Sequence, residues 1–313
     1  MGRFHLSDIE AAAGRIDPVF LRSPQFICEP LSEACNADVL IKLETANPIR
    51  SFKGRGADLL VQQAKEPLVS ASAGNFGQAL AYAGRTHQVP VTVFASVHAN
   101  ALKVARMKEL GATVVAEGLD FDAAKMAGRR FALTNGIRFV EDGRDFETAI
   151  GAGTIALELL ERENGLHAIL VPIGNGALIN GIGCTYKSKS PATRIIGVQA
   201  KGAPAMVESW QQSKLISYPT VATIADGIGV RVPVPEALDD LRDNMDEALL
   251  VSDDAIIRAM KLLFTLAGIV VEPAGAAGVA ALLEHKERIS GKKVAVVLCG
   301  SNITNAQMQQ WLC

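Results

Sequence analysis

Ala168-Ile169-Leu170-Val171-Pro172-Ile173-Gly174-Asn175-Gly176-Ala177-Leu178 is a short apolar run that ends in a glycine-rich turn and opens a helix. A run of that length, closed by glycine, reads as a buried strand leading into a βα unit of a parallel sheet. Outward from it the same pattern recurs. Strands are expected at 38–43, 67–70, 90–95, 112–116, 138–141, 168–172, 195–200 and 293–299. Helices are expected at 57–64, 76–87, 101–110, 121–134, 151–164, 252–267 and 275–285. Such alternation predicts an α/β fold. The section 48–146 reads as a compact four-strand unit inserted into a larger one built from 1–47 and 147–313, with a cleft between two lobes. Ligands of open α/β sheets sit beyond the carboxyl ends of the strands, so the loops there carry the chemistry.

The composition narrows the class. At 313 residues the chain exceeds one comfortable core, and 49% hydrophobic, 20% charged and 5% aromatic residues suit a soluble α/β enzyme. A formal charge of -2 gives no reason to expect nucleic acid or an anionic membrane as partner. Arg3, Asp8 and Glu10 break up the N-terminus, so no signal peptide is expected, and no uncharged apolar run reaches spanning length. Cys28, Cys35, Cys184, Cys299 and Cys313 show no CxxC spacing and read as free thiols of a reducing cytoplasm. The five histidines are scattered, so no metal site is expected.

Four loops are candidates for function. Asn47-Pro48-Ile49-Arg50-Ser51-Phe52-Lys53-Gly54-Arg55-Gly56-Ala57 sets Lys53 where a proline-led turn approaches a helix, beside an aromatic ring and small residues. Desolvation there would suit an amine nucleophile or base, although most lysines are solvated surface charges. Ala71-Ser72-Ala73-Gly74-Asn75-Phe76-Gly77-Gln78 follows a strand and enters a helix. It reads either as an anion-binding N-terminus with Ser72 and Asn75 as donors, or as an ordinary capping turn. Gly174 to Leu178 reads either as a phosphate-binding nest or as a tight turn where helix and strand pack closely. Val296 to Asn302 ends a buried strand in small polar residues around Cys299, and Glu272 stands alone in an apolar stretch, where it could simply cap the next helix.

Together these motifs resemble the serine/threonine dehydratase family of fold type II pyridoxal-phosphate enzymes, from about Leu21 to Asn302. Lys42-Leu43-Glu44 followed by Ser51-Phe52-Lys53-Gly54-Arg55-Gly56-Ala57 is similar to the family's cofactor-lysine motif, and Ser72-Ala73-Gly74-Asn75 to its substrate loop. Gly174 to Leu178 lies where its tetraglycine loop does. Gly151 to Thr154, Ala225-Asp226-Gly227 and Glu272 to Gly275 are similar to lesser landmarks. The resemblance implies a tryptophan synthase β-like fold, pyridoxal 5'-phosphate as cofactor, a small amino acid as substrate and a homodimer.

It further implies that Lys53 forms a Schiff base with the cofactor and then acts as the base. Phe52 would pack on the ring, Asn75 would bond its phenolic oxygen, and Cys299 would face its nitrogen. Gly174, Asn175, Gly176, Ala177 and Leu178 would hold the phosphate, and Glu272 counts among the cofactor contacts. Ser72, Ala73, Gly74, Asn75 and Phe76 would meet the substrate. A neutral thiol at the ring nitrogen, and an alanine at position 73 that cannot carry a proton, favour loss of water over racemisation. The expected reaction is dehydration of a β-hydroxy amino acid such as L-threonine or L-serine, with the phosphate as one source of the proton for the leaving hydroxyl.

Some positions depart from the family. Arg50 replaces a usual glycine, Phe76 a common histidine, and Asn175 and Ala177 interrupt the tetraglycine. Gln199 and Ala205 stand where racemases keep cation-binding acids. Open alternatives are β-replacement, lyase action on hydroxyaspartate, phenylserine or diaminopropionate, and a catalytically silent binding protein. For an acidic substrate the one basic candidate in these loops is Arg50.

Overall fold

The computed structural model describes residues 2–99 and 101–313. Among them ten strands form: β1 (Gln25–Ile27), β2 (Asp38–Leu43), β3 (Leu68–Ala71), β4 (Val91–Ala95), β5 (Thr113–Ala116), β6 (Arg138–Val140), β7 (Ala168–Pro172), β8 (Arg194–Ala200), β9 (Glu247–Val251) and β10 (Lys293–Leu298). Six make one sheet in the order β1-β2-β10-β7-β8-β9, and four make a second in the order β5-β4-β3-β6. Every pairing is parallel except that of β1 with β2. The fold is α/β with two parallel-sheet lobes, as the alternation of elements implies. Strands of the smaller sheet come from one run of the chain, while those of the larger come from both sides of that run.

All eight expected strands are present within a residue or so at each end. The clearest are β7 and the middle of β10, whose residues are buried throughout, because helices cover both faces of a parallel sheet. The two missed strands, β1 and β9, are both edges of the larger sheet. An edge strand lacks a neighbour on one side and needs no continuous apolar run; Phe26 and Ile27 of β1 are in fact exposed.

Two helices begin earlier than their sequences suggest. The one expected from 57 spans Lys53–Gln62, and the one expected from 151 spans Glu147–Arg162. In both, glycines that look like helix breakers are there for contact. A Cβ on Gly56 would fall 2.6 Å from the Thr148 Cα, and one on Gly151 would fall 2.5 Å from the Gly56 Cα. The helices touch backbone to backbone, which only glycine permits. This packing brings Lys53 into the first helical turn rather than the turn before it.

Beneath that helix lies a buried charge network. Arg55 is fully buried; its guanidinium donates to Glu44 at 2.8 and 2.9 Å, to Glu158 at 2.5 and 3.0 Å and to Thr154 Oγ1 at 2.9 Å. Lys42, also fully buried, donates to Glu158 at 2.6 Å and to the Ser23 carbonyl at 3.0 Å. The network ties β2 to the helices Lys53–Gln62 and Glu147–Arg162, and so fixes the base of the lysine loop.

Candidate active site

A cavity of about 640 Å³ lies between the carboxyl ends of the two sheets, with Ala71 and Asp142 from the smaller and Pro172 and Cys299 from the larger on its wall. The expected lysine, substrate and phosphate loops and the end of β10 all reach it.

Lys53 is held from below by β10. The Phe52 N–H donates to the Cys299 carbonyl at 3.1 Å, the Ser51 hydroxyl to the same oxygen at 3.2 Å, and the Ser301 N–H to the Arg50 carbonyl at 2.9 Å. The lysine amine lies 4.5 Å from the centre of the Phe52 ring and 2.6 Å from Asp142 Oδ2. The chain turns into this loop through Arg50 at φ 53°, a left-handed angle that costs a non-glycine residue about 1 kcal/mol. Arg50 is exposed and does not line the cavity. The expectation of a basic pocket residue at Arg50 is therefore wrong: its side chain leaves the turn toward solvent. Lys103, Lys125 and Arg231 line the cavity instead, and each is paired with a carboxylate, Asp226, Glu141 and Asp122 respectively.

In the loop after β3, the Ser72 hydroxyl accepts from the Gly74 N–H at 3.2 Å and the Gly77 N–H at 3.0 Å. Ser72 thus shapes the loop as a cap does and keeps its own proton for a ligand. Ala73, Gly74 and Phe76 line the cavity with it. Asn75 donates from Nδ2 to Glu272 Oε1 at 2.6 Å and accepts at Oδ1 from Asn302 Nδ2 at 2.8 Å. Those contacts fix which way the amide points.

The simple capping role is not what Glu272 performs. It precedes the helix Pro273–Glu284, yet its side chain makes no capping bond and turns to Asn75 and to the Asn302 N–H at 3.0 Å. Burial pushes its carboxyl up to about 7, with nearby Asp226 adding to the shift and Lys103, Asn75 and Asn302 opposing it. A carboxyl whose pKa is raised on folding adds stability that is complete below its unfolded value, near 4.5, and is lost as pH rises through about 7. In cofactor-free protein, Glu272→Gln is therefore expected to gain stability relative to the parent between pH 5 and 8. The gain is up to ~3 kcal/mol, at about 1.4 kcal/mol per unit. Urea midpoints across that range measure it, and a constant difference between the two proteins would refute it.

At the far end, Gly176 takes φ 89° and starts the helix Ala177–Lys189. The N–H groups from Gly174 to Leu178 lie at a helix start, where no intrahelical acceptor exists. A Cβ on Gly174 would fall 2.6 Å from the Gly227 carbonyl, so the turn is closed to any side chain there. This is a cradle for an anion. Ala177 needs no unusual angle because it is the first helical residue. Cys299 is buried, and burial pushes its thiol well above the ordinary value, with Glu272 adding to the shift and Lys53 opposing it. It faces the cavity as a neutral group.

A free amine, an anion cradle and a neutral thiol around one cavity fit a phosphate-bearing aldehyde cofactor. Over residues 16–300 the sequence matches the family described as "Pyridoxal-phosphate dependent enzyme". The chain belongs to that family. Its cofactor is pyridoxal 5'-phosphate. Within the family it is 35% identical over 303 residues to the L-threonine ammonia-lyase of Thermotoga maritima, covering 95% of this chain and 75% of that one. Among solved structures, maize serine racemase aligns with TM-score 0.91 at 28% identity, over 98% of this chain and 96% of that one. The processed form of threonine deaminase isoform 2 from Solanum lycopersicum aligns with TM-score 0.90 at 26% identity, over 99% of this chain and 88% of that one.

Two residues of the site escape a reading of the family's motifs. Asp142 sits in Glu141-Asp142-Gly143-Arg144-Asp145, which reads as a solvated charged turn; its position just after β6 is the signal that could have found it. Asn302 closes the last candidate loop, and nothing in its neighbours distinguishes it from a turn residue. Of the positions compared with racemase cation sites, Gln199 accepts the Val207 N–H at 3.1 Å and Ala205 is fully buried. No helix among the described residues is long and apolar enough to cross a membrane.

Proposed function

We propose that this protein is a pyridoxal-phosphate-dependent ammonia-lyase that converts L-threonine or L-serine to the 2-oxo acid and ammonia. The observation that carries the reading is the Lys53 amine, held at the cavity wall between Phe52 and Asp142, with Ala73 in the facing loop. When bound, the cofactor supplies an electron sink that makes the substrate's Cα proton removable. Gly174, Asn175, Gly176, Ala177 and Leu178 would hold its phosphate, Phe52 would pack on its ring, Asn75 would bond its phenolic oxygen, and Cys299 and Glu272 would be its further contacts.

Lys53 first holds the cofactor through its amine and, once the substrate's amine has taken its place, removes the Cα proton as a general base. The substrate carboxylate would lie at the helix start formed by Ser72, Ala73, Gly74 and Asn75, where the positive end of the helix and the Ser72 hydroxyl favour an anion. Phe76 excludes water beside it. Ala73 has no proton to give, so the opposite face of Cα receives none, and elimination outruns inversion. The carboxylate partners of Lys103, Lys125 and Arg231 argue against a second acid on the substrate, because no cation among the described residues of the cavity wall stands without one. The same reading takes the enzyme as a cytoplasmic homodimer; its five free cysteines suit a reducing compartment. The direct test is release of 2-oxo acid from L-threonine, L-serine, threo-3-hydroxyaspartate and phenylserine. Turnover of the first two supports the proposal; release from hydroxyaspartate alone would overturn the substrate assignment.

A further inference from the structure

Asp142 takes no part in holding the cofactor or in removing the Cα proton, yet it touches the residue that does both. Its Oδ2 lies 2.6 Å from the Lys53 amine. Its other oxygen, Oδ1, is buried and has no hydrogen-bond partner. The residue is only 8% exposed and lies on the cavity wall. Its neighbour Glu141 is held by Lys125 and Arg129 of the helix Phe121–Asn135, and Lys53 is the one ion-pair partner of Asp142 among the described residues. A buried carboxylate oxygen without a partner is costly and needs a reason.

The free amine of Lys53 is the state required once the substrate has displaced it, and its contact with Asp142 is the one seen here. We propose that Asp142 is the acid that protonates the departing β-hydroxyl; the proposal rests on Lys53 being the base that takes the Cα proton. At the start of elimination Lys53 is the neutral amine that the substrate has displaced, and Asp142 is the carboxylate beside it. Lys53 takes the Cα proton, so the Cα–H bond breaks and an N–H bond forms. The Cα electrons end in a Cα=Cβ bond as the Cβ–O bond breaks and its electron pair leaves with oxygen. The Lys53 ammonium passes its proton to Asp142 across the 2.6 Å contact, and Asp142 gives it to that oxygen, which departs as water. The pair is then as it began, a neutral amine beside a carboxylate. Hydroxide is a poor leaving group, so a positioned acid here has a large effect. Asp142, on the cavity wall beside the base, is where that acid is needed.

The test compares two leaving groups. L-Serine must lose a hydroxyl, whereas β-chloro-L-alanine loses chloride, which needs no proton. In Asp142→Asn, kcat on L-serine is expected to fall ~10²–10³-fold, within the range for loss of a general acid, while β-chloroalanine elimination falls less than about tenfold. Asp142→Glu should recover part of the serine activity. The visible absorbance of the bound cofactor, read in each variant, should persist and so exclude a failure to fold or to bind it. Equal losses on both substrates, or no loss on serine, would overturn the role of Asp142. A wild-type enzyme that shows the visible band but releases pyruvate from neither substrate would instead sink the dehydratase reading, and Asp142's role with it.

Discussion

Lys53→Ala is expected to release no measurable 2-oxo acid from L-threonine or L-serine, a loss of at least ~10³-fold, while the chain still folds. Removal of a positioned general base alone costs about 10²–10⁴-fold. Here the same amine also holds the cofactor, so both functions go together. Folding should survive because the helix Lys53–Gln62 is anchored elsewhere, by Arg55 beneath it and by the contact of Gly56 with Thr148. The Lys53 side chain contributes one ion pair, to Asp142, and a contact with Phe52. Two readouts separate the possibilities. The variant should lose the visible absorbance of lysine-bound cofactor, yet still unfold cooperatively in urea, with a loss of stability smaller than that of Arg55→Ala. A variant that retained turnover would show that some other amine serves as base and would remove the central residue of the site.

Arg55→Ala is expected to cost ~3–5 kcal/mol of stability, the largest structural effect among these substitutions. Arg55 itself is fully buried, and its removal leaves the fully buried Glu44 facing no other ion-pair partner among the described residues. Glu158 keeps Lys42, at 2.6 Å, but loses both of its bonds to the guanidinium. The penalty arises from stranding charge in a low-dielectric interior rather than from the worth of the pair itself. Arg55→Lys should fall in between, since an ammonium keeps the charge but cannot make the fork of contacts to Glu44, Glu158 and Thr154.

The network also has a pH signature. Burial alone would raise the Glu158 carboxyl, but the bonds and charges of Arg55 and Lys42 outweigh it and hold the carboxyl below its ordinary 4.5. A depressed carboxyl contributes stability that is present above its unfolded value and lost as pH falls through the lower folded one. The parent should therefore lose stability in that acid window, and Arg55→Ala should lose less of it. Urea midpoints measured from about pH 7 down to about pH 3 test both statements. An acid slope unchanged by the substitution would count against this origin.

Much of the site was legible in the sequence because its parts are backbone features. Glycines at strand ends, as at Gly174 and Gly176, mark places where a side chain would collide or the chain must turn left-handed, and those demands show in the residue type itself. The lysine was legible from its neighbours: Ser51 to Ala57 sets one amine beside an aromatic ring and among glycines. Side-chain partnerships were not legible. The sequence offers Arg50 as the basic group, and the tertiary structure turns it outward. Glu272 stands where a helix cap belongs, and the structure turns it across the cleft to Asn75, 197 residues away in sequence.

The alternation of buried apolar runs with helical stretches determined the two-lobed α/β fold, since burial on both faces leaves a strand few residue types to choose from. The resemblance of its motifs to a known family pointed to the cofactor. Only the tertiary structure decided which loops meet. It set Asp142 of the smaller sheet against Lys53, and Asn302 of the larger against Asn75. Each of those contacts joins loops that meet where the carboxyl ends of the two sheets face one cavity, and no local pattern of residues encodes that distance.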